Sequence, residues 1–288
     1  VKKMNETNDG IYIGPKSDTP GATFHEKRDK PALLRNLAED YRQQSYWETP
    51  YYFSFLDKCL EGIPLQDKVC LDVGCGDGRF AEYLIKRGAR KIICIDSDYE
   101  SLKSLLSYSE EKGFRESLTL IQAGAENIPL PPDSVDVAIA IGVFYYLGGD
   151  YERGIESVYE KIKKDGILIS SEPNLEGLAL RSLLFDSLGE MISIFQDGVF
   201  REKSGDISCI FPLHSTGKIE SFYETAGFKL IQRHAISLFH QLVRILYLRG
   251  NISDDELDTN RGKLREVFDY LDREKGQFTK TWIYGWQK

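Results

Sequence analysis

The run Leu71-Asp72-Val73-Gly74-Cys75-Gly76-Asp77-Gly78 constrains this chain more than any other segment. It places three glycines at alternate positions, directly after an apolar strand-like stretch and directly before a helical one. Glycine tolerates positive φ and has no Cβ, so a ligand can approach such a backbone closely. The helix that begins there leaves its first N–H groups unpaired, which suits polar or anionic ligand groups. The pattern predicts a nucleotide-type site at the C-terminal edge of a sheet.

The spacing is G-x-G-x-G. A dinucleotide fingerprint requires its third glycine where Arg79 stands, which argues against an NAD-binding reductase. Asp96 closes the apolar run Ile92-Ile93-Cys94-Ile95, 22 positions after Gly74, where a carboxylate can accept both hydroxyl protons of a ribose.

Strand and helix signals alternate around this segment, which predicts an α/β fold with a mostly parallel sheet covered on both faces. Strands are predicted at 69–73, 91–95, 118–122, 135–140 and 167–171, and two more at 228–235 and 278–286. Helices are predicted at 78–87, stopped by Gly88, at 99–112, stopped by Gly113, and at 151–163. The aromatic-rich stretch 41–60 follows a helical face. Residues 1 to about 35 mix Gly, Pro, Asp and Lys without apolar periodicity. The domain division is therefore a flexible N-terminal tail or lid over 1–40, then one catalytic domain over 41–288 with helical insertions near 175–215 and 237–275.

With 41% hydrophobic and 28% charged residues the chain is globular in composition. A net charge of −8 gives no strong nucleic-acid signal, because tracking phosphates needs clustered Lys and Arg. No apolar run is long enough to span a bilayer and the first residues lack a signal-peptide core, so a cytoplasmic location is the expectation. The five cysteines include no Cys-x-x-Cys pair, and no metal is expected.

On the residues Val69 to Gly78, the sequence resembles the class I S-adenosylmethionine-dependent methyltransferases, particularly the small-molecule branch that includes the ubiquinone and menaquinone methyltransferases. The resemblance runs from about residue 47 to 236. It implies a Rossmann-like seven-stranded sheet with an antiparallel last strand. S-adenosylmethionine is then the cofactor and S-adenosylhomocysteine the product. The resemblance places the methionine part and sulfonium over Gly74, Cys75, Gly76 and Gly78, with Asp72 ordering the turn or the amino group. It also assigns Asp96 and Ser97 to the ribose. In the adenine-edge loop the family's usual Asp falls on Gly124, leaving the Ala125 backbone or Glu126 as substitutes. Ile141 and the following residues resemble the rim beside the methyl group, where Tyr145 and Tyr146 replace the histidines common there.

Methyl transfer from a sulfonium is an in-line displacement that needs a held nucleophile and, for a high-pKa oxygen, a base within reach. Glu172, ending the fifth strand, and His214, preceding a helix, are the candidate bases; Tyr145 and Tyr146 are pocket-shaping candidates. The helical apolar stripes of the two insertions either roof a hydrophobic acceptor, pack on the core or form a homodimer interface. The cluster Lys229, Arg233, Arg244 and Arg249 allows membrane contact, countered by Asp254, Asp255, Glu256 and Asp258. The expected activity is methylation of an oxygen, or a nitrogen, of a small-molecule acceptor. Methylation of protein or RNA, and a non-catalytic cofactor-binding partner subunit, are the alternatives.

Overall fold

The structure is a computed structural model and describes residues 4–15, 49, 51–185, 187–204, 207–237, 243, 246, 250–253, 255, 256, 259, 260, 262–264, 266, 267 and 279–288. The strands are β1 (Asn5–Glu6), β2 (Ile11–Ile13), β3 (Val69–Val73), β4 (Lys91–Asp96), β5 (Leu118–Gln122), β6 (Val135–Ile141), β7 (Ile162–Pro173), β8 (Val199–Ser204), β9 (Ile207–Pro212), β10 (Lys229–Ser237) and β11 (Thr279–Gln287). The helices are α1 (residues 51–59), α2 (Arg79–Lys86), α3 (Tyr99–Lys112), α4 (Tyr151–Lys161), α5 (Leu175–Phe185), α6 (Leu188–Asp197) and α7 (Thr216–Ala226).

Among the described residues nine strands form one sheet in the order β1-β2-β5-β4-β3-β6-β7-β11-β10, and β8 and β9 make a separate hairpin. The pairs within β2-β5-β4-β3-β6-β7 are parallel; β11 runs antiparallel to both β7 and β10. The central strands are apolar nearly throughout because both of their faces are covered. Alternate residues point to opposite sides: Cys70, Ile92, Cys94 and Ile139 join α1 to α3 in one core, while Leu71, Val73, Ile93, Ile95 and Ala138 join α4 and α7 in the other.

Helix ends follow local chemistry. In α2, Phe80, Ala81, Tyr83 and Leu84 form the buried face, and Lys86 pairs with Glu82 at 2.8 Å outside. Helix α3 ends at Gly113, whose φ of 75° is the left-handed cap that lets the amide return to the last turn.

The α/β class is as expected, with the antiparallel β11. The count of seven strands is corrected to nine among the described residues: β1 and β2 extend the sheet past β5. Residues 4–15 are thus part of the sheet, while 16–48 of the expected tail lie outside the described residues. The first insertion is helical only through α5 and α6 and then turns into the β8–β9 hairpin. Of the second insertion, the described positions 243, 246, 255, 256, 259, 260, 262–264, 266 and 267 are helical. Among the described residues no helix is long and apolar enough to cross a membrane.

Candidate cofactor site and acceptor rim

Strand β3 delivers Asp72 and Val73 to the C-terminal edge of the sheet, and the chain then turns through Gly74 (φ 65°), Gly76 (φ 52°) and Gly78 (φ 93°) into α2. The amides of Gly74 and Cys75 both donate to the carbonyl of Ile95, at 2.7 and 3.0 Å, which fixes the turn against β4. A Cβ on Gly74 would lie 2.7 Å from the Val143 side chain on the rim after β6, so glycine is required there. At Gly76 a Cβ would meet nothing within 4 Å: the turn faces open space there. The cap of α2 at Gly78 has no side-chain hydrogen bond, and Gly78 packs against Leu105 of α3.

Asp96 ends β4 and is 9% exposed. Its Oδ2 accepts from the Gly76 amide and its Oδ1 from the Asp98 amide, both at 2.8 Å. The residue therefore braces the glycine turn as well as facing the site. Ser97 follows at the edge, its carbonyl accepting from the Gln122 amide group at 3.1 Å. Cys75 turns its side chain inward and is 4% exposed.

Asp72 is buried, and its Oδ2 has no hydrogen-bond partner. Burial pushes its carboxyl up to about 8, against the opposing pull of Arg79. The Arg79 guanidinium lies 4.6 Å from the Phe80 ring centroid and 5.5 Å from that of Tyr52, and donates to Thr49 Oγ1 at 3.3 Å.

Across the edge from Asp96, the loop after β5 carries Gly124 and a single turn over Ala125–Asn127. The Ala123 amide ties it to the Asp96 carbonyl at 3.0 Å. Glu126 is buried, and both its carboxylate oxygens occupy the volume that a Cβ on Gly124 would fill. Its Oε2 has no partner.

The rim after β6 begins at Ile141 and Gly142, whose amide donates to Ser171 Oγ at 2.9 Å. Tyr145 and Tyr146 lie with ring centroids 4.4 Å apart, and Phe211 of β9 sits 4.9 Å from the first and 5.4 Å from the second. These tyrosines thus seat the insertion on the rim. Leu178, Ile194, Phe200, Phe211 and Leu213 form a small core of the insertion against them, while Leu188 and Phe195 face outward.

Glu172 is fully buried near the end of β7. Tyr223 of α7 donates to its Oε1 at 2.6 Å, and the Tyr223 ring stacks on Trp286 at 4.3 Å. Burial pushes the Glu172 carboxyl up to about 8. His214 is half-buried, edge-on to Tyr151 at 5.5 Å and to Phe222 at 5.1 Å, and burial lowers its pKa. Tyr151 packs edge-on against the His214 ring, and burial, with Glu172 as the second cause, pushes its hydroxyl well above the ordinary phenol range. Tyr151 and Tyr223 carry no signal in sequence beyond helical amphipathicity, and only the tertiary packing reveals them.

Residues 71–170 match the family described as a methyltransferase domain. The ribosomal protein arginine N-methyltransferase rmt3 of Schizosaccharomyces pombe is 28% identical over 182 residues, 60% of this chain and 32% of that protein. A tRNA U34 carboxymethyltransferase of Vibrio vulnificus is 23% identical over 252 residues, 87% of this chain and 67% of that protein. A solved S-adenosylmethionine-dependent methyltransferase from Listeria monocytogenes superposes with a TM-score of 0.56 at 15% identity, covering 80% of this chain and 96% of that one. The chain spans about a third of the length of the first of these curated relatives. The matched segment is a methyltransferase domain on a fold shared with solved S-adenosylmethionine-dependent methyltransferases, which marks an enzyme domain with S-adenosylmethionine as its cofactor. The residues present fit that cofactor: the space at Gly76, the acid at Asp96, and the unpartnered buried oxygens of Asp72 and Glu126 complement a backbone-hugging sulfonium, a ribose, an ammonium and a base amine.

Proposed function

We propose that the protein transfers a methyl group from S-adenosylmethionine to an oxygen, or a nitrogen, of a small-molecule acceptor enclosed beneath the α5–β9 insertion. The observation that carries this reading is the aromatic contact between Tyr145, Tyr146 and Phe211, which closes the insertion over the rim. A covered rim suits a compact acceptor and excludes water from the displacement.

In this reading the Asp96 carboxylate receives the ribose hydroxyls beside Ser97, and Glu126, with the Ala125 backbone, receives the adenine amine. The glycine turn Gly74-Cys75-Gly76-Asp77-Gly78, open at Gly76, would hold the methionine part, with Asp72 receiving its ammonium and Ile141 on the rim beside the methyl group. Bound S-adenosylmethionine would supply the methyl group and leave as S-adenosylhomocysteine, and the acceptor proton would pass to a base. His214, held neutral by burial and packed against Tyr151 and Phe222, is in the form that takes a proton; Glu172, bound by Tyr223, is the second candidate base.

Methylation of a macromolecule is the second reading, favoured by the protein and tRNA substrates in the names of the curated relatives. An arginine acceptor fits poorly, because recognition of guanidinium uses paired carboxylates and the rim residues 142–149 contain none. The test uses cofactor labelled in the methyl group, supplied with fractionated cell extract. Label recovered in the low-mass fraction supports the proposal; label in precipitable protein or RNA overturns it.

A further inference from the structure

We infer that the N-terminal hairpin β1–β2, with Gly14, is a strap that holds the adenine-edge loop in position and so sets selectivity for the cofactor's base. The inference rests on the cofactor reading above.

The strap is built into the sheet. Strand β2 runs parallel to β5 with Ile11 opposite Leu120, Tyr12 opposite Ile121 and Ile13 opposite Gln122, and Ile11 is fully buried. Immediately past β2 the chain lies on the loop that carries Glu126. The Gly14 amide donates to the Gln122 carbonyl at 2.8 Å. A Cβ on Gly14 would stand 2.9 Å from the Gln122 carbonyl oxygen, 3.0 Å from the Ala123 Cβ and 3.2 Å from Pro129 Cγ. Gly14 therefore touches the loop on both sides of Glu126, at Ala123 and at Pro129. Met4 and Tyr12 pack against the same apolar cluster as Ala123, Ala125 and Ile128.

The other end of the strap is fastened near the ribose acid. Tyr99, three positions after Asp96, brings its hydroxyl to 3.0 Å from Asp9 Oδ2 and 3.5 Å from Thr7 Oγ1. Arg115 donates to the Gly10 carbonyl at 3.3 Å and to the Leu118 carbonyl at 2.8 Å, joining the hairpin tip to the start of β5. The hairpin thus bridges the beginning of α3 and the loop whose carboxylate faces the base. A carboxylate discriminates a donating amine from an accepting carbonyl only while its position is held to hydrogen-bonding tolerance.

The test is calorimetric titration of the full chain with S-adenosylhomocysteine and with S-inosylhomocysteine, in which the base amine is a carbonyl. Wild type should prefer the adenine form. Gly14→Ala, whose Cβ collides with backbone, should weaken S-adenosylhomocysteine five- to tenfold and narrow the preference at least threefold. Tyr99→Phe, a milder change that keeps the fold, should move both quantities in the same direction. Equal weakening of the two ligands in Gly14→Ala, or adenine-form binding within twofold of wild type, overturns the strap. Wild type binding neither ligand overturns the cofactor reading, and the strap with it.

Discussion

The carboxylate of Glu126 folds back over Gly124 and fills the space that any side chain at position 124 would need. The family resemblance expects an acid at position 124, and in the proposed reading Glu126 supplies that negative group from two residues further along. Restoring the acid by Gly124→Asp should therefore weaken S-adenosylhomocysteine binding, because the new Cβ meets both Glu126 oxygens. Glu126→Gln should cost about 1.5 kcal/mol, roughly tenfold in affinity. The pair Gly124→Asp with Glu126→Ala should recover part of that loss. Recovery absent in the double variant, measured by titration calorimetry, would show that Glu126 does not stand in for the missing acid.

Cofactor binding should be coupled to proton release. Burial holds the Asp72 carboxyl at about 8, so it carries a proton at neutral pH. A cationic ammonium placed against it favours the ionised form. Affinity for S-adenosylhomocysteine should rise between pH 6 and pH 8, with protons appearing in buffers of differing ionisation heat. Asp72→Asn should abolish the pH dependence.

Stability should run the other way. Asp72 and Glu172 both hold protons in the fold up to about pH 8, whereas in the unfolded chain they lose them near pH ~4. The folded state therefore binds more protons across that window, and stability falls as pH rises through it. The melting temperature of the ligand-free protein should decline from pH 5 to pH 8, and Glu172→Gln should flatten the decline. A melting temperature that climbs over this range contradicts the assignment.

Removing the Tyr223 hydroxyl leaves a buried Glu172 oxygen without its donor. Tyr223→Phe should destabilise by about 1–3 kcal/mol in urea titrations, although the stack on Trp286 is retained. A loss below the error of such titrations would mean that the carboxyl finds another partner.

Phe211 is 4% exposed and joins the hairpin to the rim. Phe211→Ala should loosen the insertion at a local cost of about 3–5 kcal/mol. Faster proteolytic cleavage within residues 175–212 is expected, with S-adenosylhomocysteine affinity unchanged within twofold. A large fall in cofactor affinity would place the hairpin in the cofactor site instead of over the acceptor.

Much of the sheet was legible because its signals are local. Strand β5 and helix α3 begin and end where apolar runs, periodicity and Gly113 predict. The glycine turn and Asp96 come together because they end adjacent parallel strands, a consequence of strand order in this fold class. The β1–β2 hairpin was not legible: strands of two and three residues carry no periodicity, and the pairing of Ile11 with Leu120 joins distant parts of the chain. Val199–Ser204 likewise hid β8, since Arg201, Glu202 and Lys203 break any apolar alternation. The partner of Glu172 was hidden for a similar reason, because Tyr223 reaches it from a helix 51 positions further along the chain.

The insertion leaves the sheet at Asn174 and ends at Leu213 before α7, and the bond from Tyr223 of α7 to Glu172 ties that helix to the end of β7. Its own small core, with Ile194, Phe200 and Phe211 at the centre, includes no residue of the glycine turn or of the adenine-edge loop. The segment is therefore an exchangeable cassette. A chimera that grafts a different segment between those two points, while keeping Tyr145 and Tyr146 as its seat, can acquire a new acceptor preference from an unaltered cofactor platform.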